Sequence, residues 1–165
     1  DLQGVDILNL KKVIKEIPYS DFVLIDSAPG IGREAVAAMQ SASEILYVTN
    51  PNIAAASDII KISEVAKEIG LKQIGIVLNM VKRKIYELSA SEIEEITGIP
   101  VISSIPYSNL IEQSYLLGKT VIEQKPYSKE SIEFMKLAAY IAGEEYKVPL
   151  SSYLHRIKDF FSAFF

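Results

Sequence analysis

The chain has no cysteine and one histidine, His155, among its 165 residues. The lack of thiols rules out disulfides, thiol catalysis and Cys-ligated zinc or iron–sulfur centres within this sequence, and it fits a reducing interior. His155 falls on the polar side of a terminal segment and reads as a solvent-facing residue. No apolar run approaches the roughly 20 residues needed to span a bilayer. The opening Asp1-Leu2-Gln3-Gly4-Val5-Asp6 has no basic start, and Lys11, Lys12 and Lys15 interrupt the next stretch, so it does not read as a secretion signal. The first residue is not Met, and the expectation is a chain that begins inside something larger. A formal net charge of −4 argues against nucleic acid as the principal partner, although it leaves room for a local basic patch.

What is present is globular: 49% hydrophobic and 23% charged residues suffice for one buried core. Short β-branched runs alternate with helical periodicities. Phe22-Val23-Leu24-Ile25 is apolar throughout and reads as a first strand buried on both faces. An Ala-rich helix is expected over 33–42 and a second strand over 45–48. Ser57-Asp58 offers a cap for a helix over 59–68 closed by Gly70. A third strand is expected over 74–78, with Gly75 inside it. Ser91 and Glu94 have capping-box spacing for a short helix ending at Gly98. A fourth strand is expected over 100–105, then helices over 109–117 and 131–146. This alternation means right-handed crossovers, a mainly parallel sheet and helices on both faces, a three-layer α/β/α arrangement. A linker over 143–149 separates the domain, 1–146, from a last segment over 147–165.

Ligands in such sheets sit beyond the C-terminal ends of the strands, so the residues just after each strand are the informative ones. The first strand runs into Asp26-Ser27-Ala28-Pro29-Gly30. A carboxylate there is placed to hold a phosphate-bound Mg²⁺ through water, and Gly30 can bring a bare N–H near a terminal phosphate. The second strand ends in Thr49-Asn50-Pro51. The third ends in Asn79, whose amide both donates and accepts, as the edge of a purine requires. The fourth ends in Ile105-Pro106-Tyr107-Ser108. Each is an ordinary turn on its own; the ordered set at one sheet edge carries the signal. Gly118-Lys119-Thr120 matches only the end of a phosphate-loop motif. Position 113 is Gln, and Tyr115-Leu116-Leu117 reads as a helix end, so the stretch is expected to be a helix stop with an exposed lysine.

The ordered set resembles the C-terminal half of the MinD/ParA family of P-loop ATPases. The resemblance rests on Asp21 to Gly30, Val48-Thr49-Asn50-Pro51, Val77-Leu78-Asn79, Ile105-Pro106, and Gly118-Lys119-Thr120-Val121 through Lys125-Pro126-Tyr127-Ser128. It implies an ATPase that dimerises around ATP and Mg²⁺. Asp26 would be the Walker B carboxylate, Gly30 part of the switch that senses the γ-phosphate, and Asn79, Pro106 and Tyr107 the adenine site. The family's glycine-rich loop and catalytic lysines have no counterpart in this sequence. The Walker A half is therefore expected in a longer parent or a second chain, and this chain alone is expected to be inactive.

The last segment is the second signal. On a helical wheel Tyr153, Leu154, Ile157, Phe160, Phe161, Phe164 and Phe165 share one arc with Leu150, and the polar residues, Arg156 and Lys158 among them, take the rest. This suits a helix lying in the headgroup plane, and the resembled family ends in a similar one. The expectation is a membrane-associated switch ATPase that places the division site or polar machinery. It would be cytoplasmic, peripheral on the inner face of the cell membrane, and partnered by a regulatory or cargo protein. The alternatives are a ParA-like partition ATPase using the basic run Lys82-Arg83-Lys84, or a non-enzymatic module docking its tail on a protein groove. Cluster-carrier ATPases of the same superfamily are disfavoured by the absence of cysteine.

Overall fold

The computed structural model describes residues 10–150. Three parallel strands, β1 (Glu44–Thr49), β2 (Lys72–Val81) and β3 (Val101–Pro106), form one sheet in the order β1-β2-β3. α1 (Leu10–Glu16) and α2 (Arg33–Ser41) precede it, and α3 (Ile53–Ile69) and α4 (Ala90–Thr97) make the two crossovers. α5 (Asn109–Leu116), α6 (Val121–Gln124) and α7 (Lys129–Ala142) come after β3, and α7 packs along it. This is the mainly parallel α/β arrangement that the alternation of patterns demands.

The core lies where crossover helices meet sheet. Ile76 and Leu78 of β2 and Tyr47 of β1 pack on Ile59 of α3 and Ile93 of α4. Val77, pointing to the other face by strand alternation, is buried as well, so β2 is covered on both sides. Gly75 marks a place where two strands come unusually close. A Cβ there would sit 2.6 Å from Ile102 Cγ2 and 2.9 Å from the Pro100 carbonyl, and its φ is +151°. The β1–β2 and β2–β3 ladders both shift register beside it, which makes the glycine part of a bulge.

The first predicted strand is not one. Residues 22–28 are outside any ladder, and Phe22, Val23 and Leu24 are exposed, Leu24 at 87%. A strand forms only where a neighbour takes its N–H and C=O groups, and among the described residues nothing pairs with this run. α3 begins at Ile53, not Ile59, because Asn52 is the cap, its Oδ1 accepting from Ala55 N at 2.9 Å. Ser57 lies inside the helix and donates to the Ile53 carbonyl. α4 takes the first of two overlapping S-x-x-E signals: Ser89 and Glu92 close the capping box. Glu94 instead accepts from Val101 N at 2.7 Å and ties the helix to the start of β3. α7 starts at Lys129 and stops at Gly143, which takes the left-handed conformation at φ 72°.

Candidate functional site

Strand register brings part of the expected site together. Val81 of β2 pairs with Pro106 of β3, and Tyr107 N donates to the Val81 carbonyl at 3.0 Å. Asn79, Pro106 and Tyr107 therefore share one corner of the C-terminal sheet edge, next to Thr49, which pairs with Leu78. The Asn79 Oδ1 accepts from Met80 N at 2.9 Å and holds Met80 at φ 57°. That leaves the amide N–H₂ donors of Asn79 free for another acceptor.

Three neighbours of this corner, Lys82, Glu112 and Glu87, make contacts that the sequence analysis does not foresee. The Lys82 ammonium lies 4.6 Å from the centroid of the Tyr107 ring, a cation–π contact. The Tyr107 hydroxyl donates to Glu112 Oε1 at 3.0 Å, and that carboxylate raises the phenol above its ordinary value by hydrogen bond and by charge. The Glu87 carboxylate accepts from Lys82 N and Lys84 N, fixing the basic turn. Leu88 N in turn donates to the Pro51 carbonyl. Of these contacts, Lys82 over Tyr107 and Leu88 to Pro51 join distant parts of the chain, whereas those of Glu112 and Glu87 are local.

Among the described residues no contact joins Asp26 or Gly30 to that corner. They border a cavity of about 790 Å³ whose opposite wall is β1 from Glu44 to Val48, and whose lining does not include Asn79, Pro106 or Tyr107. Asp26 is exposed and makes no ion pair among the described residues. Gly30 has φ +80°, and a Cβ there would meet nothing within 4 Å, so backbone conformation and not close packing favours glycine. No group of three His, Cys, Asp or Glu among the described residues could hold a metal ion. Asp26 alone could hold Mg²⁺ only indirectly, as an ion that a phosphate would bring and that would keep its waters. An exposed, unpaired carboxylate meets that requirement.

Gly118 takes the left-handed conformation after α5, Lys119 is exposed, and Thr120 caps α6 in a capping box with Glu123. The stretch is a helix stop, as its context predicts. The same T-x-x-E spacing could have revealed α6 from sequence alone. Tyr153, Leu154, Ile157, Phe160, Phe161, Phe164 and Phe165 lie outside the described residues. Among the described residues no helix is long and apolar enough to cross a membrane.

Comparison with known proteins agrees with this architecture. Residues 7–142 match the family model described as ParA, NUBPL iron-transfer P-loop NTPase. An uncharacterized ATP-binding protein of Methanocaldococcus jannaschii is 32% identical over 142 residues, covering 86% of this chain and 54% of its own. The cell division ATPase MinD of Pyrococcus furiosus superposes with a TM-score of 0.78 at 35% identity, over 84% of this chain and 59% of that one. The septum site-determining protein MinD of Pyrococcus horikoshii, solved with Mg-ADP, gives 0.77 at 33%, over 82% and 56%. The chain thus spans little more than half the length of these relatives. Parallel sheet, crossover helices and matched family model together make this chain a member of the ParA/MinD-type family of P-loop NTPases.

Proposed function

We propose that this chain is the nucleotide-responsive C-terminal part of a MinD-like ATPase, a switch that dimerises with ATP and Mg²⁺ and holds the membrane through its last helix. The observation that carries this reading is the sheet-edge corner. Asn79 offers amide donors for a purine edge, and Pro106-Tyr107 is locked beside it by the Tyr107–Val81 hydrogen bond. Asp26 supplies an unpaired carboxylate for the water shell of a phosphate-bound Mg²⁺, and Gly30 a backbone free to turn toward a terminal phosphate. The glycine-rich loop and catalytic lysines would come from the part of the relatives that this chain does not span. Hydrolysis is therefore assigned to the longer protein, and the 165-residue chain alone is expected to be inactive.

In the tail, Tyr153, Leu154, Ile157, Phe160, Phe161, Phe164 and Phe165 form the lipid-facing arc. One short helix binds weakly, and two on one dimer bind far better through effective concentration, which links membrane residence to ATP. The protein would then sit on the inner face of the cell membrane and there position division or polar machinery through a partner protein. Iron transfer is not carried over from the family model's description, because these 165 residues contain no thiol ligand.

A second reading, cargo movement on DNA, draws on the basic turn. Lys82, Arg83 and Lys84 are exposed, and Glu87 fixes their backbone. Liposome co-sedimentation of the protein carrying its phosphate-loop half separates the two. Pelleting that requires ATP and is abolished by Phe160→Ser, Phe161→Ser and Phe164→Ser supports the membrane switch. Absence of pelleting with any nucleotide, together with ATP-dependent DNA retention, replaces it with the second reading.

A further inference from the structure

The turn that follows β2 displays two bulky apolar side chains that the chain itself does not cover. Ile85 is 104% exposed and Tyr86 75%, between Lys82-Arg83-Lys84 on one side and Leu88, packed against the main core, on the other. The turn is nevertheless built. Glu87 Oε2 accepts from Lys82 N at 3.0 Å and from Lys84 N at 3.1 Å, and Glu87 N donates to the Lys84 carbonyl at 3.0 Å. Arg83 takes the left-handed conformation, φ 56°, inside that ring of bonds. Leu88 N donates to the Pro51 carbonyl at 3.0 Å, so the far end is tied to the turn after β1. Ile85 and Tyr86 are thus held outward on a fixed backbone, and little ordering is left to be done on contact.

The free charges beside the pair are of one sign. Arg83 and Lys84 are exposed and make no ion pair among the described residues, whereas Lys82 lies on the Tyr107 ring. Glu87, the nearest carboxylate in the sequence, is turned onto backbone N–H groups. The chain carries a formal −4, so an anionic surface is drawn to this turn and repelled by the chain as a whole, which orients the contact. The phosphodiesters of a duplex would satisfy Arg83 and Lys84 but give Ile85 no apolar surface to bury against. An anionic bilayer satisfies both. Headgroup phosphates meet the cations, Ile85 reaches the acyl boundary, and Tyr86 suits the interface, where its ring is buried and its hydroxyl stays wet.

We propose that the turn over 82–87 is a lipid-contacting loop, in which Ile85 and Tyr86 insert into an anionic bilayer while Arg83 and Lys84 bind its headgroup phosphates. The inference rests on the membrane reading above and adds a contact outside the tail. Lys82 belongs to the same turn and lies on Tyr107, so the loop that meets lipid also borders the candidate purine corner. Two cations and two apolar side chains hold weakly at physiological salt, where the tail decides pelleting. At low ionic strength, with a Debye length of about 30 Å at 0.01 M, the loop's own hold becomes measurable.

Vesicle co-sedimentation at low salt tests this, with the 165-residue chain carrying Phe160→Ser, Phe161→Ser and Phe164→Ser so that the tail no longer contributes. This chain should pellet with vesicles of phosphatidylserine and phosphatidylcholine, and not with phosphatidylcholine alone. Adding Arg83→Glu with Lys84→Glu should weaken that binding by about twentyfold or more, at about fivefold per cation lost. Ile85→Ser should weaken it by about tenfold. All three side chains are already in solvent, so the melting temperature should barely move. Binding lost on charge reversal but untouched by Ile85→Ser would mean adsorption by charge alone and would overturn the insertion. Retention on duplex DNA that is tighter than on vesicles, and indifferent to Ile85→Ser, would assign the turn to nucleic acid and overturn it as well. No pelleting of the tail-substituted chain would overturn the loop contact; if the unsubstituted chain still pellets, the membrane reading stands. Loop-dependent pelleting that the tail substitutions do not weaken at physiological salt would keep the loop and remove the tail from that reading.

Discussion

Two stretches of this chain have nearly the same composition and opposite fates. Ile74-Gly75-Ile76-Val77-Leu78 lies at the centre of the sheet, with Ile76 wholly buried and ladders on both sides. Phe22-Val23-Leu24-Ile25, richer in bulk and free of glycine, is extended, unladdered and largely exposed. The difference lies in the neighbours. β2 has β1 and β3 to take its backbone groups and α3 and α4 to cover one face, whereas 22–25 borders an open cavity and pairs with nothing among the described residues. Apolar sequence makes a strand possible; backbone partners make it one.

The sharpest test of that contrast is a matched pair of truncations. Ile76→Ala removes a fully buried side chain from the main core and should cost about 2–5 kcal/mol. Leu24→Ala, at a site already in solvent, should change stability by less than about 0.5 kcal/mol in the 165-residue chain. Urea denaturation of both variants measures this directly, and a comparable loss at Leu24 would mean that 22–25 is packed in solution. Next in size is Gly75→Ala. Its Cβ would lie under 3 Å from Ile102 and from the Pro100 carbonyl, at a φ that side chains avoid. Because one of those atoms is backbone, the bulge must shift, and a loss of about 1–3 kcal/mol is expected. Gly30→Ala provides the control. It meets no atom and bears only the left-handed φ, so its smaller loss should be about 1 kcal/mol.

How much of this was legible in the sequence divides along the same line. β1, β2, β3 and the helices between them announce themselves because each is bounded by local signals, such as Gly70, Gly98 and Gly143 at helix ends. The placement of Asn79 beside Pro106-Tyr107 was legible too, since parallel strands deliver their ends to one edge. The starts of α3 and α4 were not, because each has two residues suited to cap it within a few positions of one another. At α3 Asn52 is the cap and accepts from Ala55 N; at α4 Ser89 is the cap, while Glu94 accepts from Val101 N. Lys82 over Tyr107 could not be read at all, since a cation–π pair between strand ends depends on register. The exposed state of 22–25 was illegible because strand pairing is a property of the neighbour and not of the run itself.

A finer test asks whether local caps hold both regions equally. Asn52→Ala removes the only side-chain cap of α3, the helix that covers β1 and β2, and should cost about 1 kcal/mol. Ser57→Ala removes only a bond back to the Ile53 carbonyl within the helix, which slightly disfavours it, and should be neutral or better. Thermal melting of the pair ranks the two caps, and a larger loss at Ser57 would return the helix start to where sequence alone had placed it.

The smallest effect is expected in the pH dependence of the two capping boxes. Glu92 accepts from the Ser89 hydroxyl and backbone N–H, and those bonds hold its carboxyl below the usual 4.5. Glu123 is lowered in the same way by the Thr120 backbone and hydroxyl. Because each group is more acidic folded than unfolded, its stabilisation is complete above the unfolded value and is lost as pH falls through the native one. Both carboxylates are at the surface, so the effect is modest and screened by salt. The check is the difference in urea midpoint between the chain and Ser89→Ala, measured near neutrality and again well below the carboxylate range. A gap that narrows on acidification assigns the cap to the ionised Glu92. A constant gap would mean that Ser89 acts through Glu92 N alone, as a neutral N-cap that pH does not touch.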